Sequence, residues 1–189
     1  MDGQAKTLHW FSESQVLFEI PFFQRPYVWS KDEWEELIHS IEASKEDSMP
    51  FIGSFILQKP NNYDKYLVID GQQRITTISV LIKAFIDAFK EIPVETKPIF
   101  SNIIYNTKFT GLTAHHTPRI TPSIMDKNDF DIVMDTKLDY SSLDNKQGLI
   151  IEAYKYFHDY FLHNDSEKNI FIGSKIITNK KFYIAIVLN

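Results

Sequence analysis

The run Tyr66-Leu67-Val68-Ile69-Asp70-Gly71-Gln72-Gln73-Arg74 constrains the fold of this chain more than any other segment. Tyr66 to Ile69 is an apolar, β-favouring stretch. Gly71 permits a tight turn. Ile75, Ile78, Ile82, Phe85, Ile86 and Phe89 then recur at helical spacing until Pro93 closes the pattern. A strand that enters a helix through one glycine leaves the first-turn N–H groups without partners, at the positive end of the helix dipole. Such a junction is suited to holding an anion.

The residue types around it fit that reading. Arg74 brings a permanent charge whose planar fork can hold two oxygens of a phosphate. Thr76 and Thr77 add hydroxyls near the helix start, and Gln72 and Gln73 can serve a phosphate or a polarised water. Asp70, an anion beside an anion site, is explained if it binds a metal or orients Arg74; magnesium held by one or two carboxylates plus phosphates is the usual arrangement. The competing explanation is structural: a glycine after a strand is a common turn, and Arg74 could pair with Asp70 only to stabilise it. A P-loop is excluded, because no GxxxxGK[ST] pattern occurs.

Upstream, the apolar run Val16 to Ile20 leads into Pro21-Phe22-Phe23-Gln24-Arg25-Pro26-Tyr27-Val28-Trp29, where two prolines forbid a regular helix. Arg25, flanked by apolar residues, calls for a partner anion. Tyr27 and Trp29 read as core packing, with stacking on a base as the alternative. Ser30 and Glu33 form a capping box ahead of a helix whose inner face is Trp34, Leu37, Ile38 and Ile41, ending between Ala43 and Asp47. Phe51 to Gln58 and Tyr66 to Ile69 read as an antiparallel hairpin around a loop rich in turn formers.

The stretch from Glu95 to Pro122 is broken by prolines, Gly111 and many Thr and Asn residues, which predicts a loop with short strands, one near Arg119 to Thr121. Asp126 is placed as the cap of a short helix through Met134, with Phe130, Val133 and Met134 inward. Gln147 to His163 reads as a helix burying Ile150, Ala153, Tyr154, Phe157 and Phe161, with His158 at its surface or rim. His115 and His116 read as a mobile loop pair without a third ligand. Asp126, Asp129, Asp131 and Asp135 read as a solvated acidic face. Phe182 to Leu188 looks like a buried strand, with Lys180 and Lys181 marking its solvent-facing start. A strand at the very end predicts that the chain is part of a longer polypeptide.

The formal net charge of −5 disfavours strong DNA binding by this segment alone, since proteins that grip many phosphates carry a basic face. No apolar run reaches the roughly 18–20 residues of a membrane span. The absence of cysteine removes disulfides, Cys-based zinc sites and thiol nucleophiles, and it fits a cytoplasmic location.

The order IPFFQRPYVW, a Trp-containing helix, FIGSFIL and LVIDGQQRITTISVL resembles the GmrSD-type DGQQR domain, the N-terminal part of bacterial modification-dependent restriction and phage-defence proteins. The resemblance is strong from Val16 to Phe89 and weaker through Pro118 to Phe130 and the helix near Tyr154. It implies an α+β fold with a ParB/sulfiredoxin-like core over residues 1–94, a small mixed sheet flanked by helices, and a loop-rich, partly helical extension over residues 95–189 in the same compact unit. It also implies binding and hydrolysis of a nucleoside triphosphate with Mg2+, coupled to DNA cleavage by a separate nuclease domain. Asp70, Gly71, Gln72, Gln73 and Arg74 fall on the hallmark motif, and Gln24 and Arg25 on its companion element. The expected catalytic set is therefore Asp70, Gln72, Gln73 and Arg74. The expected phosphate-binding set is Gln24, Arg25, Gly71, Arg74, Thr76 and Thr77, with Asp70 as the magnesium ligand. Three alternatives stay open: hydrolysis, a non-hydrolysing module that holds nucleotide or DNA phosphate, and a scaffold that forms a homodimer. The His-Asn-His constellation of a nuclease is absent from the sequence.

Overall fold

The computed structural model describes residues 2–6, 8–13, 16–43, 53–178 and 184–188. The predicted boundary of the first helix beyond Ala43, the start of the Phe51 strand, and Lys180 to Tyr183 lie outside the described residues. The elements in chain order are β1 (Asp2–Lys6), β2 (Phe18–Glu19), α1 (Lys31–Glu42), β3 (Gly53–Gln58), β4 (Tyr66–Asp70), α2 (Gln72–Ala88), α3 (Lys97–Ile104), β5 (Tyr105–Thr110), β6 (Thr113–Pro118), β7 (Ile120–Thr121), α4 (Lys127–Val133), α5 (Leu149–His163), α6 (Ser166–Thr178) and β8 (Ile184–Leu188). Short 3-10 turns occupy Leu8–Ser12 and Tyr140–Leu143.

The fold is α+β, as predicted. A six-stranded mixed sheet runs in the order β1-β8-β3-β4-β2-β7, and β5 with β6 forms a separate two-stranded ribbon. The predicted hairpin is present: β3 and β4 are antiparallel, with a register irregularity between Ile56 and Leu57. β2 lies parallel to both β4 and β7, while β8 runs parallel to β3 and antiparallel to β1. Strands from both ends of the sequence thus enter one sheet.

α2 is the centre of the molecule. Its side chains are buried on nearly every side, from Ile75 to Ala88, which is the signature of a helix enclosed by other elements rather than laid on a surface. Phe85 meets Phe100 of α3 at 4.9 Å and Phe161 of α5 at 5.0 Å between ring centroids. Gly173 of α6 makes this approach possible, because a Cβ there would come within 2.7 Å of the Phe85 ring. On α1, the Glu33 carboxylate accepts the Ser30 amide at 2.7 Å, and Trp34, Leu37, Ile38 and Ile41 are all buried.

Several expectations are corrected. The segment after Glu95 contains a helix, α3, where a loop was predicted. Pro98 sits in its first turn, where the missing N–H costs nothing, and Phe100, Ile103 and Ile104 form its buried face. His115 and His116 lie in strand β6 of a ribbon rather than in a loop, and the His116 ring pairs with the Thr107 hydroxyl at 2.9 Å. α6 was not anticipated; the Asp165 carboxylate caps it by accepting the Lys168 amide at 2.7 Å, and Ile172 and Ile176 face the core. β1 and the turn that buries Trp10 and Phe11 were also missed. His158 is buried, not at the rim, and its ring stacks on Tyr140 at 4.0 Å. Asp126 does precede α4 but makes no cap; its carboxylate instead accepts the amide of Tyr27, at 3.0 Å, and the hydroxyl of Ser123.

Arg119 ties the N-terminal segment to the rest. It is 4% exposed and donates to the carbonyls of Asn102, Glu13, Val16 and Ser12 at 2.7–3.0 Å. Among the described residues no carboxylate pairs with it; four carbonyl dipoles face its charge.

Candidate functional site at the strand-to-helix junction

Gly71 adopts φ 92° and ψ 12°, the left-handed conformation that lets β4 pass into α2 in a single residue. A side chain there would also strike Phe55, whose Cδ1 lies 2.6 Å from the position of a Cβ. The first hydrogen bond of α2 runs from the Ile75 amide to the Gly71 carbonyl at 3.0 Å, so the amides of Gln72, Gln73 and Arg74 remain as open donors at the helix start.

Arg74 crosses from α2 to the edge of β3. Its Nη1 donates to the Ser54 carbonyl at 3.0 Å, and its Cζ stands 5.9 Å from the ring centres of both Trp29 and Phe55. The guanidinium rests on Gly53, where a Cβ would lie only 2.5 Å from Cζ. Among the described residues it forms no ion pair, with Asp70 or any other carboxylate. The remaining face of the guanidinium opens on a hollow of about 240 Å³ between α1 and the junction, bordered by Trp29, Glu33, Glu36 and Gly53. Gly53 was not singled out in the sequence as a site residue. Its signal was there: a glycine inside a strand marks a bulge or the close approach of another group.

The two sequence motifs bind each other. Gln73 is buried, and both ends of its amide are occupied: Oε1 accepts the Val28 amide at 2.7 Å and Nε2 donates to the Pro26 carbonyl at 3.0 Å. Gln24 Nε2 donates to the Ile69 carbonyl at 2.9 Å, one residue before Asp70. A buried chain of donors continues inward from Trp34 Nε1 to the Tyr27 hydroxyl (2.8 Å), on to Thr77 Oγ1 (2.6 Å), and from there to the Gln73 carbonyl (2.8 Å). Burial raises the Tyr27 pKa to about 12, so this hydroxyl stays protonated and able to donate.

The expected site residues therefore divide by position. Asp70 and Arg25 are exposed, while Gln24, Gln72 and Arg74 are half-buried at the junction surface. Gln73, Thr76 and Thr77 are buried, and the hydroxyl of Thr77 is spent inside the protein. Trp29 is half-buried against the hollow, whereas Tyr27 belongs to the core. No grouping of three or more His, Asp or Glu residues able to cage a metal occurs among the described residues, so a cation here would depend on a ligand's own oxygens beside Asp70.

A glycine-turned strand-to-helix junction, with open amides, an arginine that has no ion pair among the described residues and a companion QR loop fastened to it, is what the DGQQR segment builds here. The family model for the GmrSD restriction endonuclease N-terminal domain matches residues 7–188, and the chain belongs to that family. This membership associates the protein with restriction and phage defence. Comparison with curated proteins returned no match. No helix among the described residues is long and apolar enough to cross a membrane.

Proposed function

We propose that the Asp70–Arg74 junction binds the phosphates of a nucleoside triphosphate carrying Mg2+ and hydrolyses it, and that this turnover governs DNA cleavage by a separate nuclease domain. The observation that carries the reading is the state of Arg74: fixed by the Ser54 carbonyl, seated on Gly53, without an ion pair among the described residues, and beside the open amides of the α2 start. A half-buried guanidinium held by a carbonyl and two ring faces has no counter-charge, and phosphate oxygens supply one. In this reading the amides of Gln72 to Arg74 hold phosphate oxygens, Asp70 approaches the magnesium that the triphosphate brings, and Gln72 orients the attacking water. Gln24 holds the loop to β4 and Gln73 holds it to α2.

The test is phosphate release from each nucleoside triphosphate with magnesium, by wild type, Arg74→Ala and Asp70→Ala. Loss of release in both variants supports the assignment; equal release from all three ends it.

One observation favours a second reading, a module that binds without hydrolysing. The Gln73 amide is consumed on both sides by backbone, which removes one of the four groups offered for chemistry. Nucleotide binding measured by calorimetry, with no product formed even by the full-length protein, selects that reading.

A further inference from the structure

The far end of α2 carries a second hollow that the junction does not use. It measures about 330 Å³ and is walled by Asp87 in the last turn of α2, Lys90 just beyond it, Lys97 at the start of α3, Asp139 and Tyr140, and His158 of α5. α2 spans Gln72 to Ala88. At 1.5 Å per residue this places the second hollow roughly 24 Å from the junction.

Its acceptors are already occupied. The Asp87 carboxylate is paired with the buried Lys83 and also accepts the Tyr154 hydroxyl at 2.7 Å. The two oxygens of Asp139 accept the Ser141 amide and hydroxyl at 3.1 and 2.8 Å, although its negative charge remains at the rim. The hydroxyl of Tyr140 is donated to Asp159 at 2.6 Å. The unspent groups are donors. Lys97 is exposed and has no partner among the described residues, and Lys90 uses one of its three N–H bonds on the Asp87 carbonyl.

His158 adds the decisive group. The residue is 8% exposed, and its Nδ1 is sealed from solvent without a hydrogen-bond partner. The nearest carboxylate oxygen, on Asp159, is 3.8 Å away and already serves Tyr140. Burial holds the ring's pKa below its ordinary value, which favours the neutral form. We assign the proton of the neutral ring to Nε2, which makes it one more N–H donor on a ring that lines the hollow.

The geometry points to this hollow as a second, independent anion site that takes the phosphate group of a small ligand through Lys90, Lys97 and His158. Two ammonium groups suit a dianionic phosphate better than a single carboxylate, and with Asp87 neutralised by Lys83 the rim charge sums to +1 (Lys90 and Lys97 against Asp139). The inference does not rest on the nucleotide reading of the junction.

The test is a titration of the full chain followed by amide NMR at constant ionic strength, with inorganic phosphate in one arm and ribose 5-phosphate in the other. Saturable shifts at Asp87 to Lys97, Leu138 to Tyr140 and His158 are expected in both wild type and Arg74→Ala. Lys97→Glu, a change at an exposed position, weakens binding at least tenfold with the rest of the spectrum unmoved. His158→Phe keeps the ring stacked on Tyr140 but removes the donor and weakens binding several-fold. The arm that binds more tightly names the source of the phosphate. Absence of saturable shifts there, shifts confined to Gly71 to Arg74, or equal affinity in Lys97→Glu overturns the proposal.

Discussion

Replacing Gln73 by methionine separates the structural from the chemical role of the DGQQR motif. The side chain keeps its length and loses both contacts, stranding the Val28 amide and the Pro26 carbonyl that Gln73 holds at 2.7 and 3.0 Å. Two lost hydrogen bonds at about 1 kcal/mol each, plus about 1 kcal/mol for leaving partly buried backbone groups unpaired, amount to roughly 3 kcal/mol. For a chain of this size that corresponds to a fall in Tm of about 6–12 °C. Gln72, its neighbour, is half-buried and its side chain makes no hydrogen bond among the described residues, so Gln72→Met stays within about 0.5 kcal/mol of wild type. Urea denaturation of the two variants side by side measures the contrast. If Gln73→Met unfolds at the wild-type urea concentration, the QRPYVW loop is not held to α2 by this amide, and the structural account of the motif fails.

Other consequences are open to direct measurement. Gly53→Ala places a methyl group 2.5 Å from the Arg74 Cζ at a φ of +119°, so it expels the guanidinium. On the nucleotide reading proposed above, loss of one charge-assisted contact to phosphate, about 1.5–3 kcal/mol, lowers affinity at least about tenfold by calorimetry, an effect that Ser54→Ala, which keeps the carbonyl, does not share. Arg119→Met leaves four carbonyls without their donor and costs about 3–5 kcal/mol, read as a drop in the urea midpoint; a change under 1 kcal/mol would show that the N-terminal segment is held by other contacts. The depressed pKa of His158 makes the unfolded chain take up its proton first on acidification. Stability from this group is complete above the ordinary value of 6.5 and declines as pH falls below it. His158→Phe therefore loses less stability than wild type between neutral and mildly acidic pH, and identical losses would remove the histidine from the account.

The parts of the fold visible in the sequence were those with local causes. The capping box of Ser30 and Glu33 specifies the start of α1 within four residues, and the spacing of Trp34, Leu37, Ile38 and Ile41 specifies its inner face. The junction was visible for the same reason, since a strand, a glycine and a helical period are neighbours in the chain. α3 was hidden because Pro98 reads as a breaker until its first-turn position is known. α6 was hidden behind a single aspartate cap, and β1 behind a polar composition that acquires meaning only through its pairing with β8, far away in sequence.

The sequence by itself determined that a glycine turn opens α2, because the strand, the left-handed Gly71 and the helical period follow from residues in direct succession. Only the tertiary structure decided which side chains face that turn. Gln73 and Thr77 turned inward, because loop residues Pro26, Tyr27 and Val28 reach them across some 45 to 50 positions of chain. Arg74 turned outward, because Gly53 on the adjacent strand leaves room for its guanidinium and for nothing larger than hydrogen. Local sequence encodes what the backbone can do, whereas the use made of each side chain depends on contacts between segments distant in the chain.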